Sequence, residues 1–258
     1  MSNNNETFAT LMKRFEYQYD LRTTFDDFLT MTICAFSRNP MTGLSFDEDL
    51  YMATIDKYKD DELRFLFPKA LASLTDEMTE RLESNSCNDI LGEFYELNLY
   101  RKGAQQYFTP WPICQFMAKA SFNVGDRKPE QSLRILDPAC GSGRMLLASA
   151  KDSGPTHEYY GIDTDHACVK MTAINLFLGG LFKSEVMCAN ALLPDDFRVS
   201  YVISFIPFGI FKIEEKEKSR LWKLCQNTLK RPEKEFKPFS EWDTPKEQPV
   251  LTTQLKLF

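Results

Sequence analysis

The chain has 258 residues, 43% of them hydrophobic, and a formal net charge of −6. This length accommodates one substantial domain and a smaller one, and the acidic balance excludes a globally basic nucleic-acid-binding surface. The polar residues 1–6 lack a signal-peptide core, and no apolar run approaches the roughly 20 residues of a membrane span. Seven cysteines without C-x-x-C pairing and only two histidines favour reduced thiols over a metal site, and we expect a cytoplasmic protein.

The N-terminal part has the apolar spacing of helices. Over 7–101, hydrophobic residues recur every three or four positions, as at Phe25, Phe28 and Leu29. We therefore predict an α-helical domain over 1–103. Its many aromatic residues are interpreted as core rather than as a platform on which bases stack.

A short aromatic segment follows this helical part. Gln106, Tyr107, Phe108 and Thr109 precede Pro110, a residue that favours a helix start. The hydroxyl and the aromatic ring suit a pocket that binds a small carboxylate at a helix start. Packing at a domain junction is the alternative interpretation.

The most informative stretch is a glycine-containing turn between a predicted strand, 133–136, and a predicted helix, 144–150. Glycines in such a turn let the backbone approach a nucleotide-like ligand closely. The third glycine or alanine of a dinucleotide fold is absent, because Leu146 occupies that position, and the lysine of a P-loop is absent too. The turn consists of Asp137, Pro138, Ala139, Cys140, Gly141, Ser142 and Gly143.

Polar residues follow the next two predicted strands. Asp163 and Thr164 follow strand 158–162, about 20 residues after the glycine turn, where related folds bind the ribose hydroxyls of an adenosine. Capping the next helix is the alternative role for Asp163. Asn190, after strand 184–188, is placed to meet an adenine ring.

A fourth apolar run, 201–206, completes an alternation of strands, turns and helices. This alternation predicts a parallel sheet with crossover helices, in which ligands bind at the carboxyl ends of the strands.

With these residues identified, the chain resembles the N6-adenine DNA methyltransferases of type I restriction-modification systems. The segments 91–96, 106–110 and 137–143 occur in the order that this family has. The resemblance implies an α/β fold with an S-adenosylmethionine-dependent, Rossmann-like methyltransferase core over 104–211, and S-adenosylmethionine as cofactor. The cofactor-binding residues that it implies are Gln106, Tyr107, Phe108, Thr109, Asp137, Pro138, Ala139, Gly141, Ser142, Gly143, Asp163, Thr164, Asn190 and Ala191.

This chain differs from the catalytic signature of that family. The family has Asn-Pro-Pro followed by Tyr or Phe, whereas this chain has Phe205, Ile206, Pro207 and Phe208. The family's asparagine accepts a hydrogen bond from the target amino group, which a phenyl ring cannot do. We therefore assign no catalytic residue and no metal ligand, and we expect methyl transfer to be impaired.

The remainder of the chain predicts a charged helix over 212–231 and a flexible tail over 232–258. The sheet is therefore expected to be truncated. The tail closes with a peptide that resembles the sliding-clamp-binding motif of bacterial replication proteins, with Gln254, Leu255, Leu257 and Phe258 as the binding residues. Folding back of these apolar residues on the core is the alternative.

Three functions stay open from the sequence. The first is an S-adenosylmethionine-binding member of the family that is impaired in catalysis. The second is an active DNA adenine N6-methyltransferase, completed by a partner subunit. The third is a clamp-docked adaptor without cofactor. The expected partners are DNA, contacted weakly or through another protein, a methyltransferase or specificity subunit, and a sliding clamp, but no membrane.

Overall fold

The computed structural model describes residues 6–38, 47–99, 107–122, 132–193 and 195–229. These residues form an α/β fold with helices at the N-terminal side, as predicted. The helices are α1 (Phe8–Lys13), α2 (Leu21–Phe36), α3 (Glu48–Ile55), α4 (Asp61–Glu83), α5 (Ile90–Phe94), α6 (Trp111–Phe122), α7 (Arg144–Ser153), α8 (His166–Leu178) and α9 (Arg220–Leu229). The strands are β1 (Arg134–Asp137), β2 (Glu158–Asp163), β3 (Ser184–Cys188), β4 (Val199–Phe205) and β5 (Phe208–Ile213).

The helices α1, α2, α4 and α5 begin at capping side chains, and the N-terminal helices bury aromatic rings. Asp20 starts α2 by accepting a hydrogen bond from the Thr23 amide at 2.9 Å. The ring of Phe8 packs against Phe28 and Phe94 at centroid distances of 5.2 and 5.4 Å. These rings are buried, as predicted, and their edge-to-face or tilted contacts stabilise the packing of α1, α2 and α5, but the core interpretation is wrong for Tyr17, which is 91% exposed.

One hydrophobic core joins the helical part to the sheet. Phe36 at the end of α2 packs on Phe177 of α8 with ring centroids 4.5 Å apart. The buried cluster that contains Phe8 also contains Val186 of β3 and Ile210 of β5. The N-terminal helices therefore pack on one face of the sheet.

The sheet is mixed, so the prediction of a parallel sheet through the fourth strand is wrong. The strand order is β1-β2-β3-β4-β5; β1, β2 and β3 are parallel, whereas β4 is antiparallel to both β3 and β5. The ten residues 189–198 join β3 to β4 without a helix among those described, and such a short link suits an antiparallel pair. The parallel arrangement would have required a crossover connection.

This reversal moves the tip of β4 to the amino end of the sheet. Val199 pairs with Cys188 at the carboxyl end of β3, and Ile203 pairs with Ser184 at its start. Phe205, six residues after Val199, therefore lies about 20 Å from the carboxyl edge at 3.3 Å per residue. The predicted position of the 205–208 segment, at the carboxyl edge, is wrong for this reason.

The charged helix predicted over 212–231 begins later than expected. Lys212 and Ile213 belong to β5, and α9 begins at Arg220. Buried Glu185 of β3 fixes this start, because its carboxylate accepts the amide protons of Arg220 and Leu221 at 3.1 and 3.0 Å. The side chain of a residue distant in sequence thus decides where the helix begins.

Helix α9 covers the second face of the sheet. Leu221 is buried against Tyr160, Ile162 and Met187, whose neighbours along the strands face the main core. Helices thus pack on both faces. Within the described residues, none of the helices combines the length and apolarity that crossing a membrane requires.

Candidate cofactor site

A cavity of about 220 Å³ lies at the carboxyl ends of β1 and β2. Residues from the 106–110 segment, the glycine turn and the end of β2 come together here. Tyr107 is 81% exposed, so the cavity opens to solvent on its side. The lining residues are Tyr107, Phe108, Thr109, Asp137, Ala139, Cys140, Gly141, Ser142, Arg144, Met145, Asp163, Thr164 and Cys168.

The two glycines of the turn are required for different reasons. Gly141 has φ +55°, and a Cβ there would lie 2.7 Å from the ring of Phe108. Gly143 has φ +85° and precedes α7, where a Cβ would lie 2.9 Å from Thr172. Both conformations are left-handed, and both positions meet a close neighbour, so larger residues are excluded. The two glycines therefore let side chains such as Phe108 and Thr172 lie close to the backbone of the turn.

Asp163 fixes the glycine turn rather than capping the next helix. One carboxylate oxygen accepts the Gly141 amide proton and the other accepts the Asp165 amide proton, both at 2.9 Å. Asp165 is the residue that caps α8, through the Ala167 amide at 2.8 Å. Each oxygen of Asp163 retains a second lone pair, with which a ligand hydroxyl could bond.

Asp137 supplies a second carboxylate to the same cavity. Burial raises the pKa of Asp137 above its ordinary value of 3.8, and the nearby Asp163 raises it further, although a hydrogen bond from the Ala139 amide acts in the opposite direction. An ionised Asp137 is therefore costly here unless a positive charge accompanies it.

Beneath the turn, Asp89 forms a buried network that joins three parts of the chain. Its carboxylate accepts hydrogen bonds from the Gly92 amide (2.9 Å), the Ser142 hydroxyl (2.6 Å), the Arg144 Nε (2.8 Å) and the Asn175 amide (2.8 Å). Asp89 is fully buried, so these bonds replace its solvation. The network fixes the glycine turn relative to α5 and α8.

Arg144 extends this network to the aromatic segment. Its guanidinium bonds Glu96 at 3.0 Å and the Thr109 carbonyl at 3.3 Å, while Glu96 accepts the Phe108 amide proton at 3.3 Å. Burial alone would lower the pKa of Arg144, but the carboxylates of Asp89 and Glu96 outweigh burial and raise the pKa. Arg144 is therefore a positive charge that the protein itself neutralises.

The structure brings together most of the predicted site residues. Tyr107, Phe108, Thr109, Asp137, Ala139, Gly141, Ser142, Asp163 and Thr164 line the cavity. Pro138 instead lines a neighbouring groove, Gly143 caps α7, and Asn190 and Ala191 lie after β3 outside the lining. The side-chain oxygen of Asn190 accepts the Leu192 amide proton at 3.0 Å. Gln106, Gln254, Leu255, Leu257 and Phe258 lie outside the described residues.

Sequence reasoning missed the supporting residues. Asp89, Glu96 and Arg144 make the network described above, and Cys140, Met145 and Cys168 complete the lining. The 91–96 segment of the family resemblance contains Glu96, but Asp89 and Arg144 lie outside it, and the bonds that join the three connect residues distant in sequence.

The segment 205–208 lies away from this cavity. Phe205, Ile206 and Phe208 are 63%, 85% and 55% exposed, and Phe205 and Phe208 pack on Phe182 with centroids 5.4 Å away. Within the described ranges, no group of three or more His, Cys, Asp or Glu residues is placed to hold a metal ion.

Two solved structures are similar to this chain. A type I restriction-modification system methyltransferase subunit from Streptococcus thermophilus is 16% identical, with a TM-score of 0.34 over 67% of this chain and 54% of that one. A putative class I S-adenosylmethionine-dependent methyltransferase from Listeria monocytogenes is also 16% identical, with a TM-score of 0.35 over 65% and 53%. The chain thus spans about half the length of both.

A sequence model of a protein family matches more specifically than either of these two structures. The model of the N-6 DNA methylases matches residues 86–237, more than half of the chain, and this range includes the Asp89 network, the cavity and both faces of the sheet. The cofactor of such methyltransferases is S-adenosylmethionine. This chain therefore belongs to the N-6 DNA methylase family.

Proposed function

We propose that this protein binds S-adenosylmethionine in the cavity between the glycine turn and Tyr107, and that the chain alone is impaired in methyl transfer to DNA adenine. The observation that carries the proposal is the charge of the cavity. Asp137 and Asp163 both line it, whereas Arg144, the one cation in the described lining, is paired with Asp89 and Glu96. Two carboxylates therefore remain for a cationic ligand.

S-adenosylmethionine fits this requirement, because it carries a sulfonium and an ammonium group against one carboxylate. When bound, it supplies an electrophilic methyl group. We assign Asp163 to the ribose hydroxyls, Asp137, Tyr107 and Thr109 to the methionine portion, and Asn190 to the neighbourhood of the adenine. The free lone pairs of Asp163 and the raised pKa of Asp137 support the first two assignments.

Impaired transfer is supported by the direction of β4. The 205–208 segment lies about 20 Å from the carboxyl edge, by strand register and rise, whereas the cavity opens at that edge. Phe205 also lacks a group that could accept a hydrogen bond from an adenine amino group. The chain would then act as a partner or regulatory subunit; the alternative is an active methyltransferase that another subunit completes.

DNA and a specificity subunit are the partners that the family resemblance suggests. The formal charge of −6 gives the chain no overall attraction for phosphates, so we infer that DNA is bound weakly or through the partner. Docking of the C-terminal peptide on a sliding clamp stays a prediction from the sequence.

Isothermal titration with S-adenosylmethionine tests cofactor binding. We expect saturable binding by the wild type and at least about tenfold weaker binding by Asp163→Asn, because a factor of ten is only about 1.4 kcal/mol. Asp152→Asn is the matched control, since Asp152 is exposed at the far end of α7. Absence of heat at millimolar ligand, with folded protein, would exclude the cofactor assignment.

A labelled-methyl assay on adenine-containing DNA tests whether the chain alone is impaired in methyl transfer. We expect no transfer above background from the chain alone. Robust turnover by the purified chain would overturn the proposed impairment, whatever the titration gives.

A further inference from the structure

The outer face of α6 carries an apolar stripe that the described residues leave uncovered. Ile113, Phe116 and Met117 are 49%, 71% and 46% exposed, and Ala120, also exposed, continues the stripe by one turn. The opposite face already packs on α7 through Cys114 and Ala118. A helix that is apolar on both faces is normally covered on both.

This stripe borders a groove along the free edge of β1. The groove has a volume of about 610 Å³ and is lined by Thr109, Met117, Ser121, Met145, Leu146, Ser149 and the whole segment 133–139. Within the described residues β1 pairs only with β2, and Leu136 is 49% exposed. An unpaired strand edge presents backbone N–H and C=O groups with which another strand can pair, so this edge can receive an added strand.

The segments outside the described residues differ in their capacity to fill it. Residues 1–5, 100–106 and 123–131 are mostly polar, and 39–46 contains both proline and glycine. Residues 230–249 contain four prolines and many charges. These compositions do not suit a strand that covers an apolar groove.

The segment 250–258 suits it. It has no proline or glycine, and alternate positions place Leu251, Thr253, Leu255 and Leu257 on one face of an extended strand. Its nine residues span about 30 Å, compared with about 23 Å for the seven residues 133–139. The twenty residues 230–249 can span up to about 65 Å, which exceeds any distance across a domain of this size.

We propose that residues 250–258 dock in this groove as a strand along the free edge of β1, with Leu255 and Leu257 against the apolar stripe of α6. The groove shares Thr109, Asp137, Ala139 and Met145 with the cofactor cavity, so the docked strand would border that cavity, but the crosslinking below needs no bound cofactor. It would cover the face of α6 and give β1 its second neighbour.

Photo-crosslinking tests the proposal on the full-length protein. p-Benzoylphenylalanine replaces Phe116 on the stripe or, as a matched control, Phe65 on α4, which is 69% exposed. From position 116 we expect an intrachain crosslink to the peptide 250–258, with a yield that does not change on about tenfold dilution. From position 65 we expect none.

Two tail variants complete the experiment. In Leu255→Asp with Leu257→Asp, the yield should fall at least about tenfold, since two buried leucines contribute more than the 1.4 kcal/mol that this factor requires. Lys256→Asp, on the opposite face, should stay within about twofold. Crosslinks between two chains, crosslinks to other peptides, no crosslink at all, or an unchanged yield in the double variant would each overturn the proposal.

Discussion

The two ends of the central sheet differ in chemistry. At the carboxyl end, Asp89, Asp163 and Arg144 make a dense set of hydrogen bonds that fixes the glycine turn. At the amino end, the turn between β4 and β5 exposes Phe205, Ile206 and Phe208, which pack on other aromatic rings. The first end is charged and tightly bonded, and the second is apolar and exposed.

The difference supports the proposal that the cofactor half and the catalytic half of the family's site are separated in this chain. The bonds at the carboxyl end depend on parallel strands that all end at one edge. The fourth strand reverses, so its tip cannot join them. Four substitutions, ordered by expected effect, test this separation.

The largest effect is expected from Asp89→Ala. It leaves the buried Arg144 with only Glu96 as a charged partner, and breaking a buried pair costs about 3–5 kcal/mol. Urea unfolding measures the free energy directly. The control is Asp76→Ala on the exposed face of α4, which should change the free energy of unfolding by no more than about 0.5 kcal/mol. An equally small change for Asp89→Ala would show that the Asp89 network does not stabilise the fold.

Gly92→Ala should have the next largest effect. The added methyl group would overlap the Asp89 carboxylate and lie 2.5 Å from the Ser142 hydroxyl, so we expect a loss of about 1–3 kcal/mol in unfolding free energy and weaker cofactor binding. Gly180→Asn is the control, because Gly180 has open space around it and asparagine tolerates its φ of +75°. An equal free energy of unfolding for the two variants would contradict the predicted overlap.

Asp137→Asn should separate stability from binding. Because the folded-state pKa of Asp137 is raised, its favourable contribution is present below pH 3.8 and is lost as the pH rises through the raised value. The variant should therefore be more stable than the wild type at pH 7 and equally stable below pH 3.8. We also expect its affinity for S-adenosylmethionine to fall about tenfold, since a cation loses a carboxylate partner.

Unfolding curves across this pH range and isothermal titration at pH 7 measure both quantities. A variant that is less stable at neutral pH would show that the ionised carboxylate is already compensated in the unliganded protein.

Phe205→Asn should have the smallest effect. The exposed position lies about 20 Å from the carboxyl edge, so restoring the family's residue type should neither create methyl transfer nor change S-adenosylmethionine affinity by more than about twofold. The labelled-methyl assay and titration check this. A gain of transfer would mean that β4 reaches the cofactor, and the comparison of the two ends would fail.

The local segments of this protein follow from its sequence. The strands, the glycine turn and the helices after it depend on hydrophobic period, glycine placement and capping residues, which neighbouring positions determine. For the same reason Asp137, Gly141 and Asp163 could be assigned to one site, since the carboxyl ends of parallel strands meet at one edge.

Only the tertiary structure decided how distant groups pair. The sequence of β4 has the same apolar pattern in either direction, and its antiparallel pairing depends on bonds to β3 and β5. Asp89 meets Arg144 across 55 residues, and Glu185 starts α9 from another strand. Local pattern therefore determined the glycine turn, whereas long-range hydrogen bonding and burial decided which residues support that turn and placed the 205–208 segment away from it.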